Sequence, residues 1–292
     1  MIVSFEDGNN TADHETDQRY VIYNRKNRVI RKYPHTVGTG GHSGHVSSTA
    51  DHHVIFWCEG WTDGGAQDDL GTGNDVYVTS MESDGSNPVT VPVSISEDKR
   101  DWWPVCASSH DRTLLLWQRY EEEDDDHSRL CYSIYDPATS SLIDISGQNT
   151  EQVLNKYDMA FYKYNAVWLE KSGLFAVNLT AADGNGVLIL IDDSGKIIAE
   201  KTGFPDFVRE AAPAVVKTPS GYTLNYPCSE SDVVSIDITG KNISDGKITP
   251  NVFKWSSCGT CGFADSKGNV YFAALDTSNF KKGKKTLKIV SY

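Results

Sequence analysis

Shifted by 60 positions, the chain lies on itself without a gap: Trp57 falls on Trp117, Asp51 on Asp111, Ser48 on Ser108, and Val54-Ile55-Phe56 on Leu114-Leu115-Leu116. A shift of 109 from the second copy sets Pro104 on Pro213, Leu115 on Leu224 and Trp117 on Tyr226. Fainter copies run from Asn165 to Leu179, turning at Lys171-Ser172-Gly173, and from Phe263 to Phe272. Each copy reads as a half-polar strand, a tight turn, an apolar strand, a loop and a third strand. Several short strands per unit, repeated every ~40–50 residues, signify blades rather than a sandwich.

A lone blade has two apolar faces and cannot bury both, so blades must stack on one another. That accounts for the unbroken apolar runs Val54 to Trp57, Leu114 to Trp117 and Val187 to Ile191, where a half-exposed strand would alternate. The third strands run into Ser83-Asp84-Gly85 and Asp193-Ser194-Gly195, and Ser109-His110-Asp111 and Ala264-Asp265 stand at first turns. With an apolar second strand between them, these features resemble the TolB-like and WD-type β-propellers. The resemblance implies an all-β β-propeller over residues 1–292, as a single domain or a piece of a longer protein.

Blades are expected at about 41–95, 100–148, 156–204, 208–250 and 255–292. With strands at Ile2–Phe5, Arg19–Asn24 and Arg28–Tyr33 the count is six, five being the alternative. The N-terminal strands are expected to close the ring by completing the sheet that the C-terminus begins, which removes free edges. Only Glu151 to Lys156 offers a helical turn.

The formal charge of −13 argues against general nucleic-acid binding, which needs a basic surface. The basic cluster Lys281-Lys282-Gly283-Lys284-Lys285 reads as a solvated loop. No run of 18 apolar residues is present, so no membrane insertion is expected. Met1-Ile2-Val3-Ser4-Phe5 is followed at once by Glu6-Asp7, so no signal peptide is expected in this stretch. The expected setting is a secreted or cell-surface one, as part of a longer protein. Cys58, Cys106 and Cys131 fall on strands and read as buried thiols, while Cys258-Gly259-Thr260-Cys261 is the one close pair, open to a local disulfide.

Three constellations could carry chemistry. His42, His45, His52 and His53 crowd together, but residues three apart on a strand face opposite ways, so no metal site is expected. The acidic loops Asp63 to Asp75 and Glu121 to Asp126 supply calcium-type oxygens without the alternating loop pattern, so no cofactor is expected and Ca2+ stays the alternative. The third set stands at the starts of the first strands, which line a propeller's channel. There the repeat aligns His42 with Trp102 and Ala211, Gly41 with Asp101 and Glu210, and Gly40 with Arg100 and Arg209, with Asp158 beside them. Aromatic faces among placed polar groups suit a sugar or peptide.

Two functions follow. The leading expectation is a non-catalytic recognition or scaffold propeller, binding a protein, peptide or glycan through His42, Trp61, Arg100, Trp102 and Arg209. The alternative is a carbohydrate-active enzyme, a glycan hydrolase or lyase, using Asp101, Asp158 and Glu210 as its carboxylates.

Overall fold

A computed structural model describes residues 1–292 except 12–13, 27, 40, 60–74, 96–98, 122–127, 146, 148, 256–258 and 277–285; the side chains of 8–11, 14–16, 31–34, 39, 42 and 276 also lie outside the description. Six antiparallel sheets follow one another along the chain. The first is β1 (Ile2–Thr11), β2 (His14–Tyr23) and β3 (Val29–Thr39). The second is β4 (Gly41–Ser48), β5 (His52–Glu59), β6 (Val76–Glu82) and β7 (Val89–Ser94). The third holds β8 (Arg100–Ser108), β9 (Thr113–Tyr120), β10 (Ser128–Asp136), β11 (Ser141–Leu142) and β12 (Glu151–Val153). The fourth is β13 (Met159–Leu169), β14 (Leu174–Ala181), β15 (Gly186–Asp192) and β16 (Ile197–Phe204). The fifth holds β17 (Ala214–Lys217), β18 (Tyr222–Cys228), β19 (Asp232–Thr239), β20 (Asn242–Ile243) and β21 (Lys247–Thr249), and the sixth β22 (Cys261–Ala264), β23 (Val270–Asp276) and β24 (Thr286–Ser291). This is an all-β, six-bladed β-propeller.

The chain divides into two compact units. One is 1–158 with 193–195, and the other is 159–192 with 196–292. In the first unit Tyr20 and Ile22 of β2 pack with Ile55 and Trp57 of β5, and Val54, Phe56 and Cys58 pack with Leu115 and Trp117. In the second unit Leu174, Ala176, Leu188 and Leu190 pack with Tyr222, Leu224 and Tyr226, while Val208, Ala211 and Ala214 pack with Phe272 and Ala274. Strands β9 and β14 are buried at every position. Trp57, Trp117 and Tyr226 thus occupy equivalent places, each set against the blade before its own.

The repeat also survives in an irregularity. Between the pairs His42↔Cys58 and His45↔Phe56, two residues of β4 oppose one of β5; between Trp102↔Gln118 and Val105↔Leu116, two of β8 oppose one of β9. Each is a one-residue bulge, and its first residue, Ser43 or Trp103, has positive φ (52° and 59°).

Two expectations are corrected. The N-terminal strands supply the sixth blade, but β1–β3 form a three-stranded sheet of their own and β22–β24 another, instead of sharing one sheet. The β1–β2 hairpin pairs Ile2 with Ile22, a short loop whose closure costs little entropy. Residues Glu151–Val153 are strand β12, not a helical turn, because β10 offers them an open edge at Cys131–Ser133.

Candidate functional site

The nominated residues divide between the units. In the first, Asp101 is 1% exposed and grips Arg119 with both oxygens, at 2.7 Å to Nε and 2.7 Å to Nη2. Glu151 takes Arg119 from the other side, at 2.5 Å and 2.8 Å, and Nη2 also donates to Ser94 Oγ at 2.7 Å. A buried carboxylate with both oxygens bonded to one guanidinium is held within the sheet. Arg100, 7% exposed, lies between the rings of Trp102 (4.7 Å) and Tyr120 (4.9 Å), and Trp102 meets Trp103 edge-on at 5.4 Å. Asp158 is ion-paired with Arg129. Trp61 and the side chain of His42 lie outside the described residues.

Of the other nominated histidines, His45 lies in β4 and His53 in β5. Burial holds His45 down at about pKa 4, against the opposing pull of Glu6. His53 Nδ1 lies 2.7 Å from Ser48 Oγ. Among the described residues no cluster of three or more His, Cys, Asp or Glu could hold a metal. The acidic loops fall almost wholly outside the described residues, as do Cys258 and the 281–285 cluster. Burial raises the thiol of Cys106 to about 12 and pushes Cys58 and Cys131 up as well.

In the second unit Arg209 lines a cavity. It measures about 700 Å³ and is lined by Phe161, Lys163, Asp206, Arg209, Glu230 and Trp255, with Val208, Ser229 and Lys254 completing the wall. One wall is a bulge far larger than those of the first unit. Between Met159↔Ala181 and Tyr164↔Leu179, residues 160–163 oppose Thr180 alone. The extra residues throw Phe161 outward, 47% exposed, and turn Tyr162 to φ 52°. The second wall is the segment 205–210 ahead of β17. Sequence alignment had set Arg209 and Glu210 level with Arg100 and Asp101, but the latter pair sit within β8, whereas Arg209 and Glu210 precede their strand.

The two walls are tied together. Lys163 Nζ bonds both oxygens of Asp206 (2.8 and 2.6 Å), Arg209 stacks against Phe161 (4.6 Å) and Tyr162 (5.2 Å), and Glu210 N–H donates to Tyr162 O at 3.2 Å. The third wall is equally fixed: Trp255 N–H donates to Glu230 O at 3.0 Å and its indole to Asp232 O at 2.9 Å. Tyr162, Glu210 and Ser229 all have φ between 51° and 54°, so strained non-glycine backbone gathers at this rim. Asp206 is committed to Lys163, whereas Glu230 and Lys254 are exposed and make no side-chain hydrogen bond or ion pair among the described residues. The sequence signal for this site is faint: of its lining residues only Arg209 is among the sequence candidates.

No family model matches the chain, and no curated protein matches it in sequence. Solved structures do. A Trypanosoma rangeli sialidase in complex with 2,3-difluorosialic acid, a covalent intermediate, matches 99% of this chain at 10% identity and a TM-score of 0.55. The chain spans 51% of that sialidase's length. The fold is similar to that of the sialidases. The subtype N10 neuraminidase-like protein of a little yellow-shouldered bat isolate matches at 9% identity and TM-score 0.52, over 99% of this chain and 90% of its own. A Bacteroides caccae protein of unknown function matches at 11% identity and TM-score 0.51, over 99% and 89%.

These neighbours share the fold, and their names, sialidases and a neuraminidase-like protein, run against the leading expectation of a non-catalytic recognition or scaffold propeller. That expectation rested on a repeat motif which specifies blades. Blades serve enzymes and binding modules alike, so the motif could not choose between them. The propeller architecture that the TolB-like and WD-type resemblance implies is present.

Proposed function

We propose that this chain is a carbohydrate-active enzyme, a glycan hydrolase acting on an anionic sugar in the cavity of the second unit. The observation that carries the reading is the combination of cations, aromatic faces and one uncommitted carboxylate around a single space of about 700 Å³. Arg209 and Lys254 attract the sugar's acidic group, a local reversal of charge in a chain of net −13. Phe161 and Trp255 offer apolar faces to the ring. Glu230 acts as the acid–base group: it takes a proton from the attacking water, whose oxygen bonds to the anomeric carbon as the bond to the leaving oxygen breaks, and it then gives that proton to the departing alkoxide, which leaves as the alcohol. The solved sialidases, one in complex with sialic acid, support a sugar of that class. On this reading the blades are sialidase-like rather than TolB- or WD-type, and Glu230 replaces Asp101, Asp158 and Glu210 as the nominated carboxylate.

The test is turnover of a fluorogenic sialoside, followed by a panel of other anionic glycosides, by wild type and Glu230→Gln. General acid–base groups contribute ~10²–10⁴-fold, so the variant loses at least 100-fold in kcat with an unchanged melting temperature. No turnover of any anionic glycoside by wild type would sink the proposal.

A further inference from the structure

Thr180 is the single residue of β14 that faces the four-residue bulge carrying Phe161 and Lys163. Its side chain does a second task. The fully buried Oγ1 accepts the N–H of Phe207 at 3.0 Å, in the segment that carries Asp206 and Arg209. Across the ladder Thr180 pairs with Gly186. A Cβ on Gly186 would lie 2.4 Å from Pro205 O and 2.9 Å from the Phe207 ring, so only glycine lets that segment come so close. The segment ends in two further ties, Val208 N–H to Pro227 O at 3.1 Å and Ser229 N–H to Asp206 O at 2.6 Å.

We infer that Thr180 and Gly186 form a positioning seat, which fixes the Asp206–Arg209 wall against the bulge and so sets the ligand geometry of the cavity. Neither touches the ligand. The threonine supplies the acceptor that a buried N–H requires, and the glycine supplies the space. The inference rests on the proposed anionic-sugar site for its functional half and on backbone geometry alone for the rest. Any wider opening of the seat moves Arg209 away from Phe161, and positioning errors of about 1 Å weigh heavily at such sites.

The experiment compares Thr180→Val, Thr180→Ser and Gly186→Ala with wild type and with Ser133→Ala, a control that removes a different buried hydroxyl, one bonded to Thr150 O at 2.8 Å. Two readouts are taken: amide hydrogen exchange, and affinity for free N-acetylneuraminic acid by titration calorimetry. Thr180→Val is expected to speed exchange at Phe207–Glu210 at least tenfold over β15 and to weaken binding at least tenfold. Thr180→Ser restores both, Gly186→Ala reproduces the loss, and Ser133→Ala leaves both unchanged. Exchange that rises evenly across the unit with affinity intact, or no change at all, overturns the seat. Failure of wild type to bind this sugar excludes it as the ligand and leaves the function proposal to the glycoside panel, while the exchange arm still decides the seat.

Discussion

Arg100 and Arg209 are built from the same parts, a guanidinium beside two aromatic rings, and they do opposite things. Arg100 is sealed between Trp102 and Tyr120, next to the Asp101–Arg119–Glu151 network. Arg209 lies on Phe161 and Tyr162 at the edge of a cavity. Bulge size accounts for the difference. One extra residue in β8 turns Trp103 but leaves its neighbours in the sheet, whereas three extra in β13 lift Phe161 and Lys163 clear of it. A cluster's composition therefore says little about its role; the backbone beneath it decides.

The sharpest way to break this comparison is Asp101→Ala. It leaves a buried guanidinium with only Glu151 opposite, so the first unit should lose ~3–5 kcal/mol of stability by denaturant unfolding. Sugar binding in the second unit should persist wherever the protein stays folded. A loss below 1 kcal/mol would mean that the network is not structural, and Asp101 would return as a functional carboxylate.

Acid should separate the units next. All eight histidines precede residue 128, so the second unit has none. Burial holds His45 at about 4, below its unfolded value of 6.5, and His53 is lowered too. Above pH 6.5 His45 is neutral folded or unfolded and contributes no slope. As pH falls from 6.5 to about 4, the unfolded chain takes up a proton that the folded chain refuses, and stability drops by at most about 3 kcal/mol before levelling. His45→Gln should flatten that slope in pH-dependent unfolding curves; an unchanged slope would show that the imidazole is hydrated.

These differences also mark how far the sequence could be read. Blade order and the equivalence of Trp57, Trp117 and Tyr226 were legible because burial on both faces forces long apolar runs. The site was not. Its position depends on a bulge over 160–163, and an extra residue in a strand leaves no mark on composition or alternation that a short window can register. The shift that aligns Arg209 with Arg100 holds at Leu115 and Leu224, which pair with Cys106 and Val215, but fails upstream, where β17 has not yet begun. Glu230 and Trp255 come from connections between strands, which carry no period at all.

Arg209→Ala sharpens the comparison on the functional side. The side chain is half-buried and stacked, so its removal should cost ~1 kcal/mol of stability, yet weaken binding of an anionic sugar at least tenfold. Arg100→Ala should show the reverse pattern, a large stability loss with little change in binding. Equal profiles for the two variants would erase the distinction between the clamps.

The smallest effect concerns Lys163 and Asp206, whose side chains are 29% and 39% exposed. A pair so open to water is worth ~0–1 kcal/mol, so Asp206→Asn should barely move the melting temperature. Its influence on binding has a definite sign. In wild type Asp206 neutralises Lys163; the amide does not, so the cavity gains one unit of positive charge. Affinity for an anionic sugar should rise about two- to threefold at low salt, with a steeper decline as salt is added. A fall in affinity would mean that Lys163 must be held in place to serve the ligand, which would make this exposed pair a counterpart of the Asp101–Arg119 lock rather than its contrast.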